Sequence, residues 1–175
     1  MEPKSQWAAQ DFRAFLADYR RAWPDDVLTF EEPVSSDQDI TAVIWRLADD
    51  GRAPMLHFKR VDGLGVEVAA NVFASRARIA RILGAPPERL HEAYQARARD
   101  AKGQRVVSAG PILDQIDSDW IDLGRLPMLK HFETDRARYI TSGVIVAEHP
   151  QTGAGNLSYH RAMIHSSNAL ATSLH

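Results

Sequence analysis

The sequence predicts an α+β protein, and three observations carry that reading. Apolar residues recur at helical spacing in the early segments. An Asp-Gly turn at 62–63 separates two strand-like runs. The strongest strand signal, Tyr139 to Glu148, comes late and is followed by a turn and a second strand. Helices therefore dominate the first part of the chain and strands the last.

In chain order, Phe12, Phe15, Leu16, Tyr19 and Trp23 form one helical stripe, with Asp11 suited to the N-cap and Pro24 to the stop. Val27 to Glu31 reads as a short strand closed by Pro33. The second helix turns Ile40, Val43, Ile44 and Leu47 inward; Asp37 or Asp39 would cap it, and Gly51 would end it. Residues 54–73 read as a hairpin, with Met55-Leu56-His57-Phe58 on one strand and Val66, Val68 and Ala70 alternating on the other. Ser75 would cap a third helix carrying Ile79, Ile82 and Leu83, stopped by Gly84 and Pro86-Pro87. Glu88 to Lys102 predicts a fourth helix with Leu90, Ala93 and Tyr94 facing inward, and Gly103 to Ser118 a connection. Ile121 to Pro127 leads into a charged loop, His131 to Arg138. Tyr139 to Glu148 and Asn156 to His165 then flank a turn at 150–155. These elements divide the chain into an N-terminal α+β domain, 1–115, and a β-rich unit, 116–175. An isolated hairpin is marginal in water, so the second unit is expected to be incomplete, covered by the first domain, by another chain or by further sequence.

Composition narrows the function. With 21 basic against 23 acidic residues there is no nucleic-acid footprint. The absence of cysteine excludes disulfides and thiolate catalysis. No apolar run reaches the ~20 residues of a membrane helix, and the first residues lack a signal-peptide core; the expectation is a soluble cytoplasmic protein. P-loop, GxGxxG and G-x-S-x-G motifs are absent.

Candidate chemistry concentrates between Tyr139 and His165, in Thr141, Ser142, Asn156, Ser158, Tyr159, His160, Arg161 and His165. One reading is a surface hairpin with its polar side in water. The other is a lined pocket, because Asn offers an oxygen to a hard cation, Ser and Thr offer hydroxyls to a phosphate, and Arg forks to a carboxylate. Asn156 and Arg161 are separated by an odd offset, which places them on opposite faces of a regular strand. A shared pocket therefore predicts an irregularity between residues 157 and 161. Elsewhere, His57 reads as a satisfied core or edge histidine, and His91, His131, His149 and His165 as surface. Asp25-Asp26, Glu31-Glu32 and Asp49-Asp50 read as solvated element ends, and Arg76, Arg78 and Arg81 as a solvated helix face.

Four segments in order resemble one family. Tyr139-Ile140-Thr141-Ser142-Gly143-Val144-Ile145-Val146, a turn, and Asn156-Leu157-Ser158-Tyr159-His160-Arg161 resemble the flavin-binding hairpin of UbiD-type decarboxylases. Asp11 to Leu16 resembles the family's opening helix. Asn71-Val72-Phe73-Ala74-Ser75-Arg76 with Leu83-Gly84, and Ile121-Asp122-Leu123 with Leu126-Pro127, resemble its intervening motifs. The resemblance implies an N-terminal α+β domain followed by the first strands of a split β-barrel flavin-binding domain. It implies reversible decarboxylation of an aromatic or α,β-unsaturated carboxylic acid with prenylated FMN, a Mn²⁺ or Mg²⁺ ion and, further, K⁺. On it, Asn156 would ligate the metal, Thr141, Ser158, Tyr159, His160 and Arg161 would line the cofactor, and Arg161 would be catalytic, orienting the substrate carboxylate. The family's metal-binding histidine would fall after His175, and its glutamates later still. Two expectations follow: this chain is the N-terminal portion of a homo-oligomeric decarboxylase, or it is a non-catalytic fragment or small subunit that needs a second polypeptide.

Overall fold

The structure is a computed structural model that describes residues 11–100, 108–110, 113, 114, 116 and 119–173. The chain's connection at 103–118, including the expected domain boundary, lies largely outside the described residues, as does His175.

The first sheet has the order β1-β2-β3, from β1 (Val27–Val34), β2 (Met55–Val61) and β3 (Val68–Ala70). β1 and β2 are parallel, joined across α2 (Asp39–Asp49), whereas β2 and β3 are the expected antiparallel hairpin. The alternation of β2 explains its position. Leu56 and Phe58 pack with Ile40 and Leu47 of α2 on one face, with Val61 joining that cluster at the strand end, and Met55 packs with Leu16 and Tyr19 of α1 (Phe12–Ala22) on the other. With a helix on each face, β2 is buried along most of its length. Phe30 and Phe58, paired across the parallel ladder, stack at 4.7 Å between ring centres.

Local chemistry sets the helix ends. The Asp11 side chain accepts from the Ala14 N–H and starts α1. The Ser75 hydroxyl accepts from the Arg78 N–H and starts α3 (Arg76–Leu83). Gly51, at φ 70°, closes α2: its N–H donates to the Ala48 carbonyl, and the Arg52 N–H to the Leu47 carbonyl. α2 itself starts without a side-chain cap, after Gln38 in the left-handed conformation. Neither expected aspartate caps it: Asp39 is its first helical residue and accepts from the Ser35 N–H instead. β1 continues through Pro33 to Val34 past an irregularity between Phe30 and Pro33. β1 is an edge strand, where a proline at an irregularity is tolerated. In α4 (Leu90–Arg99), Leu90 is buried but Tyr94 is 64% exposed, contrary to the inward expectation.

The largest departure concerns Asp26, Arg78 and Arg81. Arg78 is fully buried, and its guanidinium forks onto Asp26 at 2.8 and 3.0 Å and reaches the Ala53 and Asn71 carbonyls. Tyr19 donates to the same carboxylate at 2.7 Å, and Arg81 at 3.1 Å while lying over the Trp23 ring. Burial pushes the Asp26 carboxyl up, but the Arg78, Tyr19 and Arg81 bonds outweigh it and hold it below its ordinary value. Neither the acidic pair nor the arginine face is merely solvated, because α3 packs against the turn after α1.

The second sheet has the order β4-β5-β6, all antiparallel, from β4 (Tyr139–Glu148), β5 (Gly155–Ser166) and β6 (Ala169–Thr172). The segment before it is tied to the first sheet. The Lys130 N–H donates to the Ser36 carbonyl at 3.0 Å, and the Gln38 N–H to the Lys130 carbonyl at 2.9 Å. Arg138 donates to Asp62 at 3.2 Å. His131 is half-buried rather than on the surface, its Nδ1 2.9 Å from the Thr41 hydroxyl.

Candidate functional site

The site is built on β5 and its neighbours. Register places Val144 opposite Tyr159, Val146 opposite Leu157, and Tyr139 opposite Met163. Cross-strand partners share a face, so Tyr139, Val144, Val146, Leu157, Tyr159 and Arg161 stand on one side of the sheet. Asn156, Ser158, His160 and Ala162 stand on the other. The odd offset between Asn156 and Arg161 does separate them by face.

The expected break is not in β5, which runs uninterrupted from Gly155 to Ser166. It lies in the partner strand. Ile140 pairs with Ala162 and Gly143 with His160, so Thr141 and Ser142 together oppose Arg161. This is a β-bulge. Gly143 permits it: a Cβ there would meet the His160 carbonyl oxygen at 3.1 Å and Ile140 Cγ2 at 3.3 Å. Among the described residues β6 pairs with Ala162, Met163, Ile164 and Ser166, and past that ladder Thr172 and Ser173 reach Arg161 and His160.

Of the expected site residues, the fold joins Ser158 to His160 directly, 2.7 Å from Oγ to Nε2. His160 Nδ1 lies 3.2 Å from the Ser173 carbonyl, which can only accept. In the neutral imidazole Nδ1 is therefore the protonated nitrogen and Nε2 accepts from the Ser158 hydroxyl. Arg161 makes no contact with Asn156; its guanidinium carbon lies 5.2 Å from the centre of the Tyr139 ring, and its carbonyl accepts from the Thr172 hydroxyl at 3.0 Å. Thr141 is exposed in the bulge, beside Arg161 in register.

Sequence reasoning missed Tyr139 as a partner of Arg161 and Arg138 as the anchor of β4. Arg138 donates to Asp62 and to the Met128 carbonyl. Burial pushes the Asp62 carboxyl up, but bonds from Ser36 and the Arg138 charge bring it below its ordinary value. An aromatic residue at the strand start, two positions before the bulge, is the one local signal that could have suggested Tyr139.

The donor set fits part of what the resemblance implies. The exposed apolar residues Val144, Val146, Leu157 and Tyr159 suit the flat ring of a flavin, with Arg161 beside them. For a metal the fit is incomplete: among the described residues no three His, Cys, Asp or Glu side chains cluster, and Asn156 is the oxygen donor the motif offers. His57, the one buried histidine among the described residues, belongs to a different place: it is 3% exposed, its Nε2 bonds Glu67 at 2.7 Å, and its Nδ1 has no partner, so it is only half satisfied. Lys59 and His57 together hold the Glu67 carboxyl below its ordinary value. Among the described residues no helix is long and apolar enough to cross a membrane.

Comparison with known proteins agrees with the motifs. Residues 23–98 match the family model for the N-terminal domain of 3-octaprenyl-4-hydroxybenzoate carboxy-lyase, and residues 104–175 match its Rift-related domain. Anhydromevalonate phosphate decarboxylase of Methanosarcina mazei is 36% identical over 129 residues, covering 74% of this chain and 29% of that protein. The chain superposes on an evolved dimeric form of the UbiD-class enzyme HmfF from Pelotomaculum thermopropionicum in complex with prFMN, with a TM-score of 0.80 and 25% identity over 95% of this chain and 39% of that one. The FMN complex of HmfF gives a TM-score of 0.78 at 26% identity, over 93% of this chain and 36% of that one. The chain thus spans about a third of the length of these relatives. With one domain model matching on each side of the connection, the chain belongs to the UbiD family of carboxy-lyases.

Proposed function

We propose that this chain supplies the cofactor-binding strands of a decarboxylase acting on an aromatic or α,β-unsaturated carboxylic acid. The observation that carries the reading is strand β5 with its bulged partner β4, which sets Asn156, Ser158 and His160 on one face and Tyr159 and Arg161 on the other. That strand lies within the segment matched by the family's Rift-related domain. Relatives named as anhydromevalonate phosphate decarboxylases favour an unsaturated acid within this class.

Prenylated FMN, when bound, supplies the electron sink for loss of CO₂. The chain's residues do the rest of what is assigned here. The apolar face of Val144, Val146, Leu157 and Tyr159 would exclude water from one side of the ring. Thr141 contributes a hydroxyl from the bulge. On the opposite face Ser158 and His160 would hold the cofactor phosphate, and Asn156 would give one oxygen to a Mn²⁺ or Mg²⁺ ion. Arg161 forks to the substrate carboxylate. K⁺ is a further ion in this reading. The division at residues 115 and 116 separates the α+β domain from the start of the flavin-binding barrel.

A second reading shares these contacts but not the activity: the chain is a subunit or fragment that works only with a further polypeptide. The exposure of Val146 (71%) and Tyr159 (79%) favours it, and among the described residues no three His, Cys, Asp or Glu side chains cluster. Expression in cells that make prenylated FMN tests both. The first reading expects CO₂ release from unsaturated or aromatic acids that is lost in Arg161→Ala while flavin absorbance is retained. Stoichiometric flavin without CO₂ release until a second polypeptide is added supports the second reading. CO₂ release that survives Arg161→Ala refutes the role of Arg161.

A further inference from the structure

The Arg161 guanidinium has no carboxylate partner among the described residues, yet it does not hang free. Its carbon sits 5.2 Å from the centre of the Tyr139 ring. We propose that Tyr139 is a positioning residue for Arg161, bracing the guanidinium face so that its N–H edges are presented to an incoming carboxylate. This deepens the reading of Arg161 as the group that orients the substrate acid, and rests on it.

The geometry suits a brace. Tyr139 pairs with Met163, and Arg161 is two residues from Met163 on the same face, so ring and guanidinium are diagonal neighbours across the ladder. The backbone that carries the ring is anchored. The Tyr139 N–H donates to the Leu129 carbonyl at 3.3 Å, and the Ile164 N–H to the Arg138 carbonyl at 3.0 Å. Arg138 Nη1 is held by Asp62 at 3.2 Å and by the Met128 carbonyl at 3.0 Å. Arg161, by contrast, opposes the Thr141–Ser142 bulge, where no single β4 residue stands across from it. Tyr139 is the ring beside its guanidinium.

An aromatic brace differs from an ion pair in a way that matters here. A carboxylate partner would occupy the guanidinium N–H fork and neutralise its charge. A ring attracts the cation through its π face and leaves both the charge and the fork available.

The test is the rate at which phenylglyoxal labels Arg161 in the whole chain, read by peptide mass spectrometry against exposed Arg136. Tyr139→Phe keeps the ring face and leaves the rate unchanged. Placing mono-, di- and trifluorinated phenylalanine at position 139 drains the π face while changing side-chain volume little. The rate should rise stepwise, by about two- to five-fold across the series. Tyr139→Leu should give a similar rise; if that variant fails to fold, the fluorinated series decides alone. A flat rate across the series overturns the proposal. Labelling needs neither cofactor nor substrate, so a flat series refutes the brace alone. A rising series without CO₂ release refutes the decarboxylase reading alone.

Discussion

Replacing Asp26 by alanine strands a buried cation, and the size of the loss can be worked from its surroundings. The Arg78 side chain is 0% exposed and that of Asp26 23%. Asp26 is the only carboxylate on Arg78 among the described residues; the Ala53 and Asn71 carbonyls remain after its removal. Breaking a buried pair from one side costs about 3–5 kcal/mol, against ~0–1 kcal/mol for an exposed pair. Arg81, 41% exposed, belongs nearer the second class. The bond from the Tyr19 hydroxyl is lost with the carboxylate as well. A loss of about 4 kcal/mol, divided by a urea dependence of ~2 kcal/mol per molar, lowers the unfolding midpoint by roughly 2 M. It also removes a large share of the ~5–15 kcal/mol that holds a domain together. Urea titrations followed by circular dichroism on Asp26→Ala, Arg78→Met and the double variant read both the loss and the coupling. The pair should couple by about 2–3 kcal/mol. A loss below about 1 kcal/mol, with the two substitutions adding within ~0.5 kcal/mol, would refute the claim that Arg78 depends on this carboxylate.

Two further outcomes follow from the same contacts. Gly143→Ala brings a Cβ against the His160 carbonyl and Ile140, so Tm should fall by about 2–8 °C. Gly155→Ala, with nothing within 4 Å of its added Cβ, serves as the neutral control, and equal Tm values for the two would sink the packing argument. Acid should unfold the chain through Asp26 and Asp62, whose folded pKa values are both lowered. Their contribution is fully present above the unfolded carboxylate value of ~3.9 and is lost as pH falls through the depressed folded values. Urea midpoints should therefore decline below about pH 4 and hold steady from about pH 5 to 7 with respect to these groups. A wild-type midpoint that is flat between pH 5 and 3 contradicts this.

What could be read along the chain was local. Asp11, Ser75, Gly51 and Gly84 set helix ends because a cap acts on backbone groups within a few residues, and such short-range chemistry needs no tertiary partner. The Asp-Gly turn fixed the β2–β3 hairpin for the same reason. The Asn156 to Arg161 segment carried the family because its residue types and order are themselves the signal. Tertiary structure decided the rest. Arg78 reads as a solvated helix residue until α3 docks on Asp26, 52 positions earlier. Tyr94 faces outward because α4 buries Leu90 instead. The parallel pairing of β1 and β2 and the passage of β1 through Pro33 depend on which strand takes the edge. At the candidate site, strand alternation separates Asn156 from Arg161 by face, as their spacing requires. The bulge in β4 and the Tyr139 ring beside Arg161 are set by how the neighbouring strands pair. Register between strands is a property of the pair, and no single strand's sequence contains it.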